Sequence, residues 1–392
     1  MSDEALDLAR ERWLDEAVAG AEILVTAGAG GVGKTTVAAA LGLAGARAGR
    51  RTLVLTIDPA RRLAQAMGLD ALDNTPRRVD LDDDGHELWA MMLNMERTFD
   101  EVVERHAPSR ERAEAIRANR IYQTLSSTLS GTQEYMAMEK LYELDGRGEW
   151  DLLVVDTPPT RSALDFLEAP TRMTDFLEGR LLKTLLRPGM AAGRGLTRMV
   201  GFGTQAFMRV AGRVTGMDLL EDLADFFRNF EGMYEGFKQR AEAVRRRLEQ
   251  PSARFVIVAS PQPPPLREAR FFLERLEQEG LHTAGVVVNR VHPACERCPP
   301  DEEVRAAARR LEDDEPTAAA VLELLADVTN LAARERRDVA AALYGVVPSV
   351  LVEVPLLRTD VHDAETLATI SAVLTGETPD DRPFSGDRPR GD

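Results

Sequence analysis

The sequence predicts an α/β fold, a doubly wound and mainly parallel sheet covered by helices on both faces. Two observations predict it. Short apolar runs of strand length alternate with longer stretches of helical periodicity along the 392 residues, the pattern of parallel strands joined by crossover helices. The first run, Ile23-Leu24-Val25-Thr26, leads directly into Gly28-Ala29-Gly30-Gly31-Val32-Gly33-Lys34-Thr35-Thr36, which fits the phosphate-loop pattern G-x-x-x-x-G-K-[ST] without a mismatch. An alanine-rich helical stretch from Val37 to about Ala48 follows it. Glycines let the backbone wrap an anion and turn successive N–H groups inward. The positive end of the following helix adds its field at the same point. The ligand expected here is a nucleoside triphosphate, with Lys34 on the β/γ-phosphates, Thr35 on Mg²⁺ and Thr36 on the α-phosphate. A glycine-rich strand-to-helix turn without a ligand is the alternative.

In chain order, residues 1–21 read as a short acidic helix with Leu6, Trp13, Leu14 and Val18 on a partly apolar face. The core is expected over residues 22–375. Its second strand is Thr52 to Ile57, closed by Asp58-Pro59-Ala60, and a third lies within Glu87 to Leu93. Helical periodicity then runs from about Arg97 to Leu144. Asp151 to Asp156 is an apolar strand ending in Thr157-Pro158-Pro159-Thr160. Residues 161–250 read mostly as helix, so that helical insertions are expected at about 97–145 and 165–250. Strands return at Arg254 to Ala259, Gly285 to Asn289 and Val350 to Val354. Helices at Pro265 to Glu279, Glu302 to Leu311 and Thr317 to Leu343 separate them. Residues 376–392, rich in Asp, Pro, Arg and Gly, read as a disordered tail.

The net charge of −16 argues against nucleic acid as a partner. Met1 to Ala21 lacks an apolar signal core, and no run reaches the roughly 18 apolar residues of a membrane span. Two cysteines exclude a disulfide-stapled secreted scaffold. A soluble cytoplasmic protein is the expectation.

Ligands of parallel α/β sheets collect at the carboxyl ends of strands, where Asp58, Asp156 and Asn289 fall. Asp156 resembles a Walker-B carboxylate placed to hold Mg²⁺ directly or through water. Asp58 is placed to orient or deprotonate the attacking water. Each could instead cap a helix. Asn289 follows Val286-Val287-Val288 and could read a base edge or simply form a turn. The N-K-x-D signature of guanine specificity is missing, which favours ATP. Cys295-Glu296-Arg297-Cys298 uses every cysteine of the chain. Structural zinc usually takes four ligands, so a symmetric dimer sharing a four-thiolate site, an incomplete site completed by His292, reduced surface thiols and a redox pair all remain open. Residues 181–227 interleave Met190, Met199, Met208 and Met217 with Arg187, Arg194, Arg198, Arg209 and Arg213. Such stripes suit apolar partners or lipid surfaces, or ordinary helix packing.

The phosphate loop, Asp58-Pro59-Ala60, Asp156-Thr157-x-Pro159-Thr160, Asn289, the cysteine pair and Val354-Pro355-Leu356-Leu357 occur in the order of a known family. Together they resemble the ArsA-type anion-transporting ATPases, which include the ATPases that target tail-anchored membrane proteins. The resemblance spans about residues 22–375 and is nearest to actinobacterial-type members. It implies a dimeric P-loop ATPase of the deviant-Walker-A group, with nucleotide at the facing subunit interface. Asp58 would activate water as switch I, residues 156–160 would form switch II, and Asn289 with the Pro355 loop would hold adenine. Cys295 and Cys298 would match an intersubunit zinc pair, Ser130 to Glu134 a Pro-Gly-x-x-Glu element, and residues 181–227 the client-binding helices. The partner would be a second copy or a paralogous ATPase, the client a membrane protein or other apolar cargo, and the location cytoplasmic or peripheral at the membrane. Arg61 replaces the usual switch I histidine, Arg161-Ser162 replaces Gly-His in switch II, and Ala29 stands where the family carries its signature lysine. Loss of one such transition-state contact costs on the order of 10²–10³ in rate. An anion or arsenite exporter subunit and a weakly hydrolysing member of a heterodimer are the rival readings.

Overall fold

The computed structural model describes residues 18–58, 62–81, 85–120, 122–123, 132–158, 222, 225–226, 228–229, 233–293, 298–346, 350–359, 361 and 363–376. The acidic N-terminal segment, most of the Met- and Arg-rich stretch, Cys295 and the tail beyond Gly376 lie outside them.

One sheet organises the fold. Its strands are β1 (Ile23–Ala27), β2 (Thr52–Thr56), β3 (Arg77–Arg78), β4 (Leu88–Met92), β5 (Leu152–Asp156), β6 (Ala253–Ala259), β7 (Thr283–Val291) and β8 (Leu351–Pro355). They lie in the order β3-β4-β2-β5-β1-β6-β7-β8. Every pairing is parallel except β3 with β4. β1, β2 and β5 are buried along their whole length, as strands covered on both faces must be. The chain is therefore an α/β P-loop fold with a mainly parallel sheet. β3 was not legible: two exposed arginines carry no strand pattern, and only the hydrogen bonds of the neighbouring edge define it.

Helix α1 (Lys34–Arg47) starts inside the motif, at the lysine, three residues before the alanine-rich run. Its residues from Val37 to Ala46 are all buried, which explains why it is small and apolar all round rather than amphipathic. It packs on the sheet and is covered on its other side by α10 (Ala364–Thr375). Sequence reasoning passed over α10, although Asp363 caps it by accepting from the Thr366 N–H at 2.8 Å and Gly376 ends it at φ 75°. Between them in chain order come α2 (Arg62–Ala66), α3 (Met95–His106), α4 (Arg110–Ala118), α5 (Thr132–Arg147), α6 (Tyr234–Leu248), α7 (Pro263–Gln278), α8 (Asp301–Leu311) and α9 (Pro316–Leu343). The helical stretch read from Arg97 to Leu144 is thus divided. Ala107 is extended, Ser109 caps α4, and the intervening Pro108 forces the break.

The chain separates into two compact units, residues 1–92, 148–163 and 248–392 in the first and residues 93–147 and 164–247 in the second. The first contains the whole sheet. In the second, α5 and α6 are joined by a buried ion pair, Arg240 Nε donating to Glu139 Oε2 at 2.7 Å. The Tyr135 hydroxyl also reaches Glu139, and it lies 3.0 Å from the Phe237 carbonyl. Among the described residues, no helix is long and apolar enough to cross a membrane.

Candidate nucleotide site

The loop after β1 is shaped by what it must pass. Gly28 sits so close to β6 that a β-carbon there would lie 2.0 Å from the Val258 carbonyl oxygen. Gly33, at φ 96°, caps α1, and a β-carbon there would strike the Asn289 amide nitrogen at 2.2 Å. Both positions demand glycine for reasons of space and backbone angle. Gly31 also takes a left-handed angle, φ 79°.

The Lys34 ammonium lies inside the loop and donates to the Gly28 and Ala29 carbonyls, each at 2.9 Å. Only 6% of the residue is exposed. Burial pulls its pKa below the ordinary lysine value, opposed by the charges of Asp156 and Asp58. Ala29 itself is 7% exposed and belongs to the hydrophobic core, so the side chain at this position is packed rather than projecting.

Sheet register assembles the rest. Thr26, Thr56 and Asp156 are paired neighbours across β1, β2 and β5. Asp156 is fully buried, and the Thr56 hydroxyl donates to its Oδ2 at 2.9 Å. Burial pushes its pKa up to about 6, against the Thr35 and Thr56 hydroxyls and the Lys34 charge, which hold it down. Its other oxygen, Oδ1, has no hydrogen-bond partner among the described residues. A carboxylate oxygen with no partner in the interior is costly, and beside a phosphate loop it fits a hydrated magnesium ion. Thr35 and Asp156 would hold Mg²⁺, and that ion would supply positive charge at the phosphates. Asp58 faces the same cavity. Its N–H donates to the Thr56 hydroxyl at 3.2 Å, and the Arg62 guanidinium lies 3.9 Å from its carboxylate.

On the other side of the loop, Asn289 is buried and its Nδ2 donates to the Val32 carbonyl at 2.9 Å. Its Oδ1 accepts from the N–H of Arg290, also at 2.9 Å. The amide therefore braces the phosphate loop as well as facing the cavity. Pro355, at the end of β8, contributes to the opposite wall with Leu356 and Leu357. The cavity measures about 480 Å³, ample for a nucleotide, and Gly31, Gly33, Lys34, Thr35 and Thr36 all line it. Gly28, Gly30, Val32 and Asp156 are not among the residues that line it.

Arg62 and Arg290 also line this cavity, and sequence reasoning named neither for it. Each is the cation next to a strand-end residue that was singled out, close after Asp58 and directly after Asn289. That adjacency was the available signal.

The cysteine pair is another matter. Cys298 is disulfide-bonded, and no free cysteine occurs among the described residues. Cys295 lies outside the described residues. A disulfide has no thiolate to offer zinc, so the expected four-thiolate site requires the reduced form. Among the described residues, no cluster of three or more His, Cys, Asp or Glu side chains could hold a metal. His292 is engaged elsewhere: its N–H and Nδ1 each lie 2.9 Å from the carboxylate of Glu335 on α9.

The profile of the anion-transporting ATPases matches residues 21–314. This chain belongs to that family. It is 24% identical over 390 residues to a putative arsenical pump-driving ATPase of Aquifex aeolicus, covering 94% of this chain and 82% of that protein. Identity to the ATPase GET3 of Malassezia globosa is 25% over 352 residues, 88% of each chain. An uncharacterized protein of Streptomyces coelicolor shares 31% over 283 residues, 69% of this chain and 62% of that one. The chain is an ATPase whose family match covers the phosphate loop, Asp58, Asp156 and Asn289, and stops before β8 and the Pro355 wall.

Proposed function

We propose that this anion-transporting-family ATPase is a dimeric, Mg-ATP-driven switch whose cycle controls an apolar, Met-rich helical surface. The observation that carries the nucleotide chemistry is the Oδ1 of buried Asp156, without a hydrogen-bond partner among the described residues and close enough to Lys34, inside the phosphate loop, for their charges to interact. Lys34 would stabilise charge on the β/γ-phosphates. Asp58, on the cavity wall, would orient water for in-line attack and accept its proton. Asn289 and the Pro355 loop would bound the adenine. The loop's backbone N–H groups and the start of α1 would hold the phosphates in place, which is most of what phosphoryl transfer asks of a protein.

Lys34→Ala and Asp58→Asn should each reduce ATP turnover to background in a phosphate-release assay. Near wild-type turnover in either variant would sink this mechanism. The membrane-protein or apolar client rests on the composition of residues 181–227, and a cytoplasmic or membrane-peripheral location follows from such a client. Isolation of the native complex, with identification of what co-purifies, tests both. An apolar or membrane-inserted protein is expected, and a soluble polar partner would refute the client reading.

Ala29 favours a second reading, a weakly hydrolysing subunit that pairs with a paralogous ATPase. A small side chain packed in the core offers no charge to a facing nucleotide. Turnover that appears only on mixing with a paralogue would support it. An energy-coupling role in anion or arsenite export would instead be marked by ATPase stimulation on adding oxyanion.

A further inference from the structure

Arg290 stands out by its backbone. It is the non-glycine residue with positive φ among the described residues, at 63°, an angle that side chains other than Asn, Asp and Gly rarely adopt. The cause is a bulge in the β7–β8 pair. Asn289 pairs with Val354 and Val291 with Pro355, which leaves Arg290 as the extra residue. Bulges re-aim a side chain and concentrate beside functional sites. Here the bulge leaves the Asn289 side chain bracing Val32 and turns Arg290 back over the phosphate loop. Its Nη1 lies 3.1 Å from the Gly31 carbonyl oxygen, and the residue lines the same cavity as Lys34 and Thr35.

The charges around that cavity make the placement meaningful. Among the described residues three cations line it, Lys34, Arg62 and Arg290. Lys34 is fixed inside the loop. Arg62 is 3.9 Å from the Asp58 carboxylate, within ion-pair distance. Arg290 is held by a neutral carbonyl and has no carboxylate within ion-pair distance among the described residues. A nucleoside triphosphate brings several negative charges, and a guanidinium presents a planar fork suited to phosphate oxygens.

We propose that Arg290 is a nucleotide-contacting residue, supplying within the same chain a second positive charge to the phosphate chain of the bound nucleotide. The proposal rests on the reading of this cavity as the nucleotide site and adds a residue to it. The bulge is the device that puts the charge there, at the cost of a strained backbone angle.

The test compares wild type, Arg290→Ala and Arg290→Gly by displacement of a fluorescent ATP analogue, with ATP and with inorganic tripolyphosphate as competitors. Glycine is at ease at positive φ, so Arg290→Gly should melt, without nucleotide, no lower than wild type. Both variants should nevertheless bind ATP and tripolyphosphate on the order of tenfold or more weakly, as for loss of a hydrogen bond to a charged group. ATP and tripolyphosphate binding within twofold of wild type would overturn the proposal while leaving the nucleotide site intact. Weakened ATP binding with unchanged tripolyphosphate binding would place the contact on the nucleoside and overturn it equally. If wild type bound neither competitor, the nucleotide reading itself would fall, and this proposal with it.

Discussion

Asp156 has a carboxyl group whose pKa burial has pushed up to about 6. A folded-state pKa above the unfolded value means the native protein holds the proton more tightly. Without Mg²⁺, ionisation of Asp156 therefore costs stability, fully so above about pH 6, and that cost disappears as pH falls through the unfolded value near 4. Asp156→Asn should raise the melting temperature of the metal-free protein at pH 8, by a free energy on the order of 3 kcal/mol, and leave it nearly unchanged below pH 4. A melting series across that range checks it, and a gain that persisted at low pH would contradict the assignment. The same protonation should weaken Mg-ATP binding as pH drops below about 6. Asn289 makes a second residue-scale prediction. Asn289→Ala strips the Val32 carbonyl of its donor, and should destabilise the protein by about 1–3 kcal/mol in urea unfolding while lowering nucleotide affinity.

At the scale of elements, β1, the phosphate loop and α1 form one local unit, and their identity was readable because nearly every constraint on them is local. Motif glycines, an apolar strand and an apolar helix follow one another without interruption. Asp58 and Asp156 were legible for a related reason, since the end of an apolar run marks the end of a strand. Arg290 was not legible. Its aim depends on pairing between β7 and β8, and no residue near it in sequence announces a bulge. α10 is short and ends beside the Asp-, Pro- and Gly-rich tail, so little in its local pattern sets it apart, yet it covers α1. Asp363→Ala should lower stability by about 1 kcal/mol, the usual worth of such a cap. In the helical unit, Glu139→Ala would strand the Arg240 guanidinium, 8% exposed, in the interior. A loss of about 3–5 kcal/mol in chemical unfolding is expected.

For the whole molecule, the consequential choice is whether the cysteine pair is oxidised. With Cys298 in a disulfide, metal analysis should find zinc only after reduction, and Cys298→Ser should abolish uptake. Zinc bound equally by oxidised protein would refute a thiolate site. The sequence by itself determined a phosphate-binding α/β ATPase, its lysine and its two strand-end aspartates, because periodicity and glycine spacing act between near neighbours. Tertiary structure alone decided that Asp156 keeps a buried oxygen without a partner among the described residues, that Asn289 braces the loop, and that a bulge turns Arg290 onto it. Burial, strand register and close approach are relations between segments far apart in the chain, and no local pattern of residues encodes the distances they produce.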